Sequence, residues 1–257
     1  MAGNQYIVAA IENFPLDSQT YMRHLQQDAF EDINATSFSI VFLCFPSIIS
    51  ITVVTKSINV YCIQISSDLK PSSQCRRAAA RANKILGCIR LAFKYLDLFS
   101  LASLYKALVL PILDYCSVAW CPYYTRDIEV LEKVQRRMTR ILPGLKDLPY
   151  EERLRSLNLL TLFARRIKHD LIFVYKLFHG GINLDASKFF TVACERRTRG
   201  HSLKLQVNYS RLTVRKNFFS QRVISHWNDL PSECANAPSL SSFKFTLSQY
   251  FLQKGIH

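Results

Sequence analysis

From Pro71 onward, apolar side chains recur three or four residues apart, the period of a helix that buries one face. The first such run covers 78–93. Ala82, Ile85, Leu86, Ile89 and Phe93 lie on one side of it, and Arg76, Arg77, Arg81, Lys84 and Arg90 on the other. Ser100 is placed to cap a second helix over 101–118, whose stripe is Leu101, Leu104, Tyr105, Leu108, Ile112 and Tyr115. That stretch is apolar almost all round, which predicts a central position, and Pro111 predicts a kink. A third helix opens at Thr125 and carries Ile128, Leu131, Val134, Met138 and Ile141 until Pro143-Gly144 ends it. Glu129 with Lys133 and Glu132 with Arg136 stand in the i,i+4 order that favours ion pairs. Glu151 and Glu152 behind Pro149 mark a short helix. A longer one follows with Ile167, Leu171, Val174, Tyr175 and Phe178, stopped by Gly180-Gly181. Residues 182–210 read as irregular or β structure. An amphipathic run over 217–227 is broken by Asp229-Leu230-Pro231, and Ser239 caps a last helix with Leu240, Phe243, Leu247 and Phe251.

Upstream of Pro71 the pattern is mixed. A short helix is expected over 19–30, then strand-like runs over 38–45, 48–54 and 59–65, the last ending at the turn Ser66-Ser67-Asp68. Residues 33–55 carry no charge and approach the length of a membrane span. Asn34, Thr36, Ser37, Ser39, Ser47, Ser50 and Thr52 dilute the segment, Pro46 interrupts it, and Ile48, Ile49, Ile51, Val53 and Val54 favour buried strands. Three regions are expected: α/β over 1–70, a helical domain over 71–180, and a basic loop with further helices over 181–257.

Charge sharpens this division. The formal net charge of +14 is concentrated, with 30 basic against 13 acidic side chains in 71–257 and three against six in 1–70. Such a block favours a polyanion, either nucleic acid or an acidic membrane surface. The eight cysteines show no Cys-x-x-Cys pair and no zinc-finger spacing. Reduced thiols and the lack of a signal peptide point to the nucleus or cytoplasm rather than secretion.

Short blocks then fall in an order that resembles a known family. They begin with Ile65-Ser66-Ser67-Asp68-Leu69-Lys70, Ala82-Asn83-Lys84-Ile85-Leu86-Gly87 and Tyr105-Lys106-Ala107-Leu108-Val109-Leu110-Pro111-Ile112-Leu113-Asp114-Tyr115. Trp120-Cys121-Pro122-Tyr123, Leu131-Glu132-Lys133-Val134-Gln135-Arg136-Arg137 and Leu142-Pro143-Gly144-Leu145 follow. Next come Tyr150-Glu151-Glu152-Arg153-Leu154, Arg165-Arg166, Asp170-Leu171 and Tyr175-Lys176-Leu177-Phe178-His179-Gly180. The series closes with Thr198-Arg199-Gly200-His201-Ser202-Leu203, Phe218-Phe219-Ser220-Gln221-Arg222 and Trp227-Asn228-Asp229-Leu230-Pro231. Over 65–245 the chain resembles the C-terminal part of the reverse transcriptases of non-LTR retrotransposons, in the jockey-like and chicken-repeat-like lineages. Upstream, Leu25-Gln26-Gln27-Asp28 and Ile33-Asn34-Ala35-Thr36 are similar to palm elements. There the family's Lys is missing, and Tyr61-Cys62-Ile63-Gln64 replaces its Asp-Leu-Gly.

The resemblance implies a mainly α fold, a helical thumb-like bundle after a small, degraded α/β remnant of a polymerase palm. Two-metal nucleotidyl transfer needs clustered carboxylates, and this sequence contains no Asp-Asp pair. Phe30-Glu31-Asp32 lies after the Leu25–Asp28 block, where the family's catalytic turn should precede it. The implied active site lies upstream, Mg²⁺ belongs to the full-length polymerase, and no cofactor or catalysis is expected of this chain. His169-Asp170 reads as a surface histidine beside a carboxylate.

Four basic clusters are the candidate nucleic-acid contacts: Arg76, Arg77, Arg81 and Lys84; Arg136, Arg137 and Arg140; Arg165, Arg166 and Lys168; and Arg196, Arg197 and Arg199 in a basic loop. Each is either a phosphate contact or a solvated face, and basic residues at a helix end also suit its dipole. Trp120, Tyr123, Tyr124 and Trp227 are candidates for base stacking or for core packing. The expected partner is RNA, DNA or their hybrid, read without sequence preference, with the rest of a retrotransposon polyprotein as a further one. The rival readings are a helical protein-interaction module using 101–118 and a membrane-attached basic protein using 37–54.

Overall fold

Residues 57–60, 63–93, 97–141, 143–193 and 200–255 are described by the computed structural model. The helix expected over 19–30, the strands over 38–45 and 48–54, the 37–54 segment and the cluster Arg196, Arg197 and Arg199 lie outside them. The strand expected over 59–65 is instead an antiparallel pair, β1 (Ser57–Val60) and β2 (Ile63–Ser66), in the register Asn59↔Gln64. The turn after it forms as expected, with the Leu69 N–H donating to the Ser66 carbonyl at 2.9 Å. The Gln64 N–H donates to Gln74 Oε1 at 2.8 Å, which ties this hairpin to the first helix.

The rest is mainly helical. Helix α1 (Ser72–Ala92) starts a turn and a half earlier than the apolar period indicates, because Ser72, Gln74 and Cys75 are buried at its N-terminal end. The expected helix 101–118 begins earlier and is divided in three: α2 (Leu98–Leu104), a π-helical segment (Tyr105–Val109) and α3 (Leu110–Asp114). Asp97, not Ser100, caps it, accepting from the N–H groups of Phe99 and Ser100. Pro111 sits in the first turn of α3, directly after the π-helical segment. Its central position is as expected, since Leu101, Tyr105, Val109 and Leu113 are fully buried.

Helix α4 (Thr125–Thr139), α5 (Tyr150–Ser156) and α6 (Leu162–Phe178) follow close to their expected places. α6 ends at Gly180, whose φ of 69° suits glycine, and the Gly181 N–H closes back on the Lys176 carbonyl at 2.8 Å. Beyond lie a single bridge between Val192 and Leu205, then α7 (Thr213–Lys216), α8 (Phe219–Asn228), α9 (Ser232–Ala235) and α10 (Leu240–Gln253). Ser239 caps α10 as expected, accepting from the Ser242 N–H at 3.2 Å.

Helices α1 and α4 pack side by side and run parallel. At their N-terminal ends the Ser72 hydroxyl donates to Asp127, and further along Arg137 Nη1, in the last turn of α4, donates to Asn83 Oδ1 in the middle of α1 at 2.8 Å. Two apolar cores result. The first gathers α1–α5 and closes at Leu162; the second gathers Leu171 to Leu177 of α6 with the C-terminal segment to Phe251. The boundary expected between 180 and 181 therefore falls inside the second core. At its centre Trp227 is fully buried with Phe243, and the Tyr175 ring stacks on Phe243 at 4.3 Å. Among the described residues no helix is long and apolar enough to cross a membrane.

Polar groups close both cores. Glu132 is not the outward partner of Arg136. It turns inward, accepting from the Tyr150 hydroxyl, from Gln135 Nε2, and from the Leu162 N–H at 3.1 Å that opens α6. Burial raises its carboxyl, while the bonds from Tyr150 and Leu162 pull it down. His169 is half-buried rather than a freely exposed surface residue. Its Nδ1 lies 3.2 Å from the Ser117 hydroxyl, and burial holds it below the usual histidine range. His201 is buried, its Nε2 donating to the Trp227 carbonyl at 3.0 Å, and burial lowers it in the same sense.

For both histidines the folded state refuses a proton that the unfolded chain accepts. Their contribution to stability is complete above the ordinary histidine value of 6.5 and is lost as pH falls through the lowered folded values. Melting between about pH 7.5 and pH 5 should therefore show a falling midpoint, with a smaller fall in a His201→Gln variant. Identical pH profiles for the two proteins would refute the buried placement of His201.

Candidate nucleic-acid interface

The four basic clusters do not share one fate. On α1, Arg76, Arg81 and Lys84 are exposed and Arg77 is half-buried. On and just beyond α4, Lys133, Arg136, Arg137 and Arg140 are exposed. These four positions fall within an arc of about 100° at helical spacing, a signal present in the sequence that the cluster Arg136, Arg137 and Arg140 captured only in part. Parallel packing adds Arg90 from the last turn of α1. Together Arg90, Lys133, Arg136, Arg137, Arg140 and Ile141 line an open hollow of about 540 Å³.

Two of these cations are held in place. Arg137 is held by its bond to Asn83. The Arg136 guanidinium lies 5.0 Å from the centre of the Tyr150 ring, a geometry of cation–π attraction. Behind them buried Arg153 donates to the Thr139 hydroxyl at 2.9 Å and to the Arg136 carbonyl at 3.3 Å, closing the end of α4. Burial, and the neighbouring charges of Arg140 and Arg136, lower Arg153 below the usual guanidinium range. Among the described residues the ion pairs are Lys70–Asp68, Arg126–Asp127, Arg165–Asp114 and Arg222–Asp170. None involves the cations of the hollow.

In the third cluster Arg166 is buried, while Arg165 and Lys168 are half-buried. Arg166 is buried over the Trp120 ring at 4.2 Å, and it donates to the carbonyls of Leu113 at 2.6 Å and Trp120 at 3.2 Å. Arg165 donates through Nε at 2.9 Å and Nη2 at 2.6 Å to one carboxylate oxygen of Asp114. Lys168 reaches the Ser248 hydroxyl of α10 at 2.8 Å, and burial lowers its pKa. Both expectations for Arg166, solvated face and phosphate contact, are thus overturned, because its charge is spent on the main chain.

For the tryptophans the core-packing alternative holds. Trp120 donates to the Tyr115 carbonyl at 2.8 Å and Trp227 to the Leu203 carbonyl at 2.7 Å. Both are buried and out of reach of a base, whereas Tyr123 and Tyr124 are half-buried and lie against each other at 4.4 Å. Sequence reading missed Arg222. It forks onto both oxygens of buried Asp170, at 2.8 and 2.9 Å, and also reaches the Val118 carbonyl at 2.9 Å.

Among the described residues no three His, Cys, Asp or Glu side chains are placed to hold a metal ion. Comparison of the chain with protein-family models, curated proteins and solved structures finds no match.

Proposed function

We propose that this chain is the thumb-side part of a non-LTR retrotransposon reverse transcriptase, and that it holds RNA, DNA or their hybrid without copying it. The reading rests on the order of sequence blocks over 65–245. One observation carries the binding: the exposed cations Arg76, Arg81, Lys84 and Arg90 of α1 and Lys133, Arg136, Arg137 and Arg140 on and just beyond α4 have no carboxylate partner among the described residues, whereas the half-buried Arg165 and Arg222 are each paired with one. Lone surface cations on two adjacent helices form a field that draws a phosphate backbone. Backbone contacts of this kind give affinity without sequence choice.

The interaction module is less favoured, because Leu101, Leu104, Tyr105, Ile112 and Tyr115 of the apolar stripe already pack in or against the first core and Leu108 alone of the stripe is exposed. The membrane reading through 37–54 rests on residues outside those described.

A fluorescent primer–template duplex tests the proposal. Its association constant should fall steeply as salt rises, with a log–log slope of about −0.9 for each phosphate neutralised. Joint replacement of Arg76, Arg81 and Lys84 by Ala should flatten that slope by about two to three. A slope near zero for the unaltered protein would overturn the reading.

A further inference from the structure

The hollow between the C-terminal ends of α1 and α4 differs from an ordinary basic face in three respects. Its cations converge: five of the six lining residues are Lys or Arg. It is concave, with a volume in the range of small-ligand sites. It is also partly pre-formed, since Asn83 fixes Arg137 and the Tyr150 ring supports Arg136. Holding a side chain in its bound position before the ligand arrives removes part of the entropic cost of binding.

Charge then selects the ligand. The five cations stand beside two helix C-termini, each worth roughly −0.5 charge, so the hollow keeps an excess of about four positive charges. An internal phosphodiester brings one negative charge, and successive ones are spread along the strand at about 3.4 Å of axis each. A terminal phosphate brings about −1.5 to −2 and more acceptor oxygens. A run of directly linked phosphates concentrates still more charge in the same space. Four of the five cations are Arg, whose planar fork takes two phosphate oxygens at once.

We infer that this hollow is a discrete site for a chain of linked phosphates, either the 5′-triphosphate end of an RNA strand or a free polyphosphate. The inference rests on the reading of the α1–α4 face as a phosphate-binding surface and gives that surface a focal point. The site binds the phosphate chain as a unit. Lys133 and Arg140 close on it from α4, Arg90 from α1, and Ile141 with the arginine stems forms the apolar floor.

Three probes decide it, at matched ionic strength, with the full chain: a short RNA with a 5′-triphosphate, the same RNA with a 5′-hydroxyl, and inorganic tripolyphosphate. The triphosphate end should bind about tenfold more tightly than the hydroxyl end, and tripolyphosphate should displace it. Arg137→Ala combined with Arg140→Ala should abolish the difference. Circular dichroism should stay unchanged, since both side chains are exposed. Displacement by tripolyphosphate without an end preference supports the site and assigns it to free polyphosphate.

Equal affinity for the two RNA ends together with no displacement by tripolyphosphate overturns the inference, while salt-dependent RNA binding would leave the proposed function standing. Tripolyphosphate binding with no RNA binding at low salt would do the reverse.

Discussion

Replacing Asp170 by Ala should cost about 3–5 kcal/mol of stability, the penalty for leaving one member of a buried ion pair without its partner. Asp170 on α6 is buried, and Arg222 on α8 meets both of its oxygens. The same guanidinium reaches the carbonyl of Val118, so a single cation joins α6, α8 and the segment after α3. Burial pushes the Asp170 carboxyl up, and the Arg222 charge pulls it down. Truncation would leave Arg222 facing the carbonyls of Ser117, Val118 and Asn217 with its charge uncompensated. Urea unfolding measures the effect as a lowered midpoint with little change in slope. Asp170→Asn should lose less, because it keeps one acceptor. A midpoint for Asp170→Ala equal to that of the parent would show that the pair does not hold the second core to the first.

Arg166→Ala should destabilise the protein by about 3 kcal/mol or more while leaving the nucleic-acid affinity of the folded protein unchanged. Two main-chain carbonyls lose a charged donor, and the face of Trp120 loses its cover. Arg166→Lys should not rescue it, since a point charge cannot both stack on the indole and reach two carbonyls. Arg136→Ala, by contrast, removes an exposed side chain beside the hollow and should weaken binding with a small change in stability. Measuring the urea midpoint and the salt-dependent affinity of both variants separates the two roles. Loss of affinity in Arg166→Ala at unchanged stability would return this residue to the interface.

These two arginines show where sequence reading reaches its limit. Helices α4, α6 and α10 are legible because their stripes are local, and their ends carry their own signals in Pro143, Gly180 and Ser239. The start of α1 is not, because its first turn buries Ser72 and Gln74, polar residues whose burial depends on partners elsewhere, Asp127 and Gln64. The break of 101–118 into α2, a π-helical segment and α3 is equally hidden, since the apolar stripe runs through it unchanged. Among the basic clusters, an arginine on the outer face of α4 and one on the inner face of α6 look alike in a string of letters. What separates them is a carbonyl or carboxylate supplied from some fifty residues away, as Leu113 does for Arg166 and Asp170 for Arg222. Arg90 illustrates the converse. Nothing near it in sequence marks a site, and only the parallel course of α1 and α4 brings it beside Arg140.

Helix α6 is a wall of both cores, contributing Leu162 to one and Leu171, Val174 and Leu177 to the other. A shared rod makes the two halves mechanically one: loosening α8 or α10 strips α6 of half its cover, and a loosened α6 withdraws the Leu162 N–H from Glu132. Disruption at the C-terminal end thus travels along this rod to Glu132, one turn from the arginines of the hollow. The packing of the C-terminal helices on α6 and the Glu132 bond at its start thus meet in one helix.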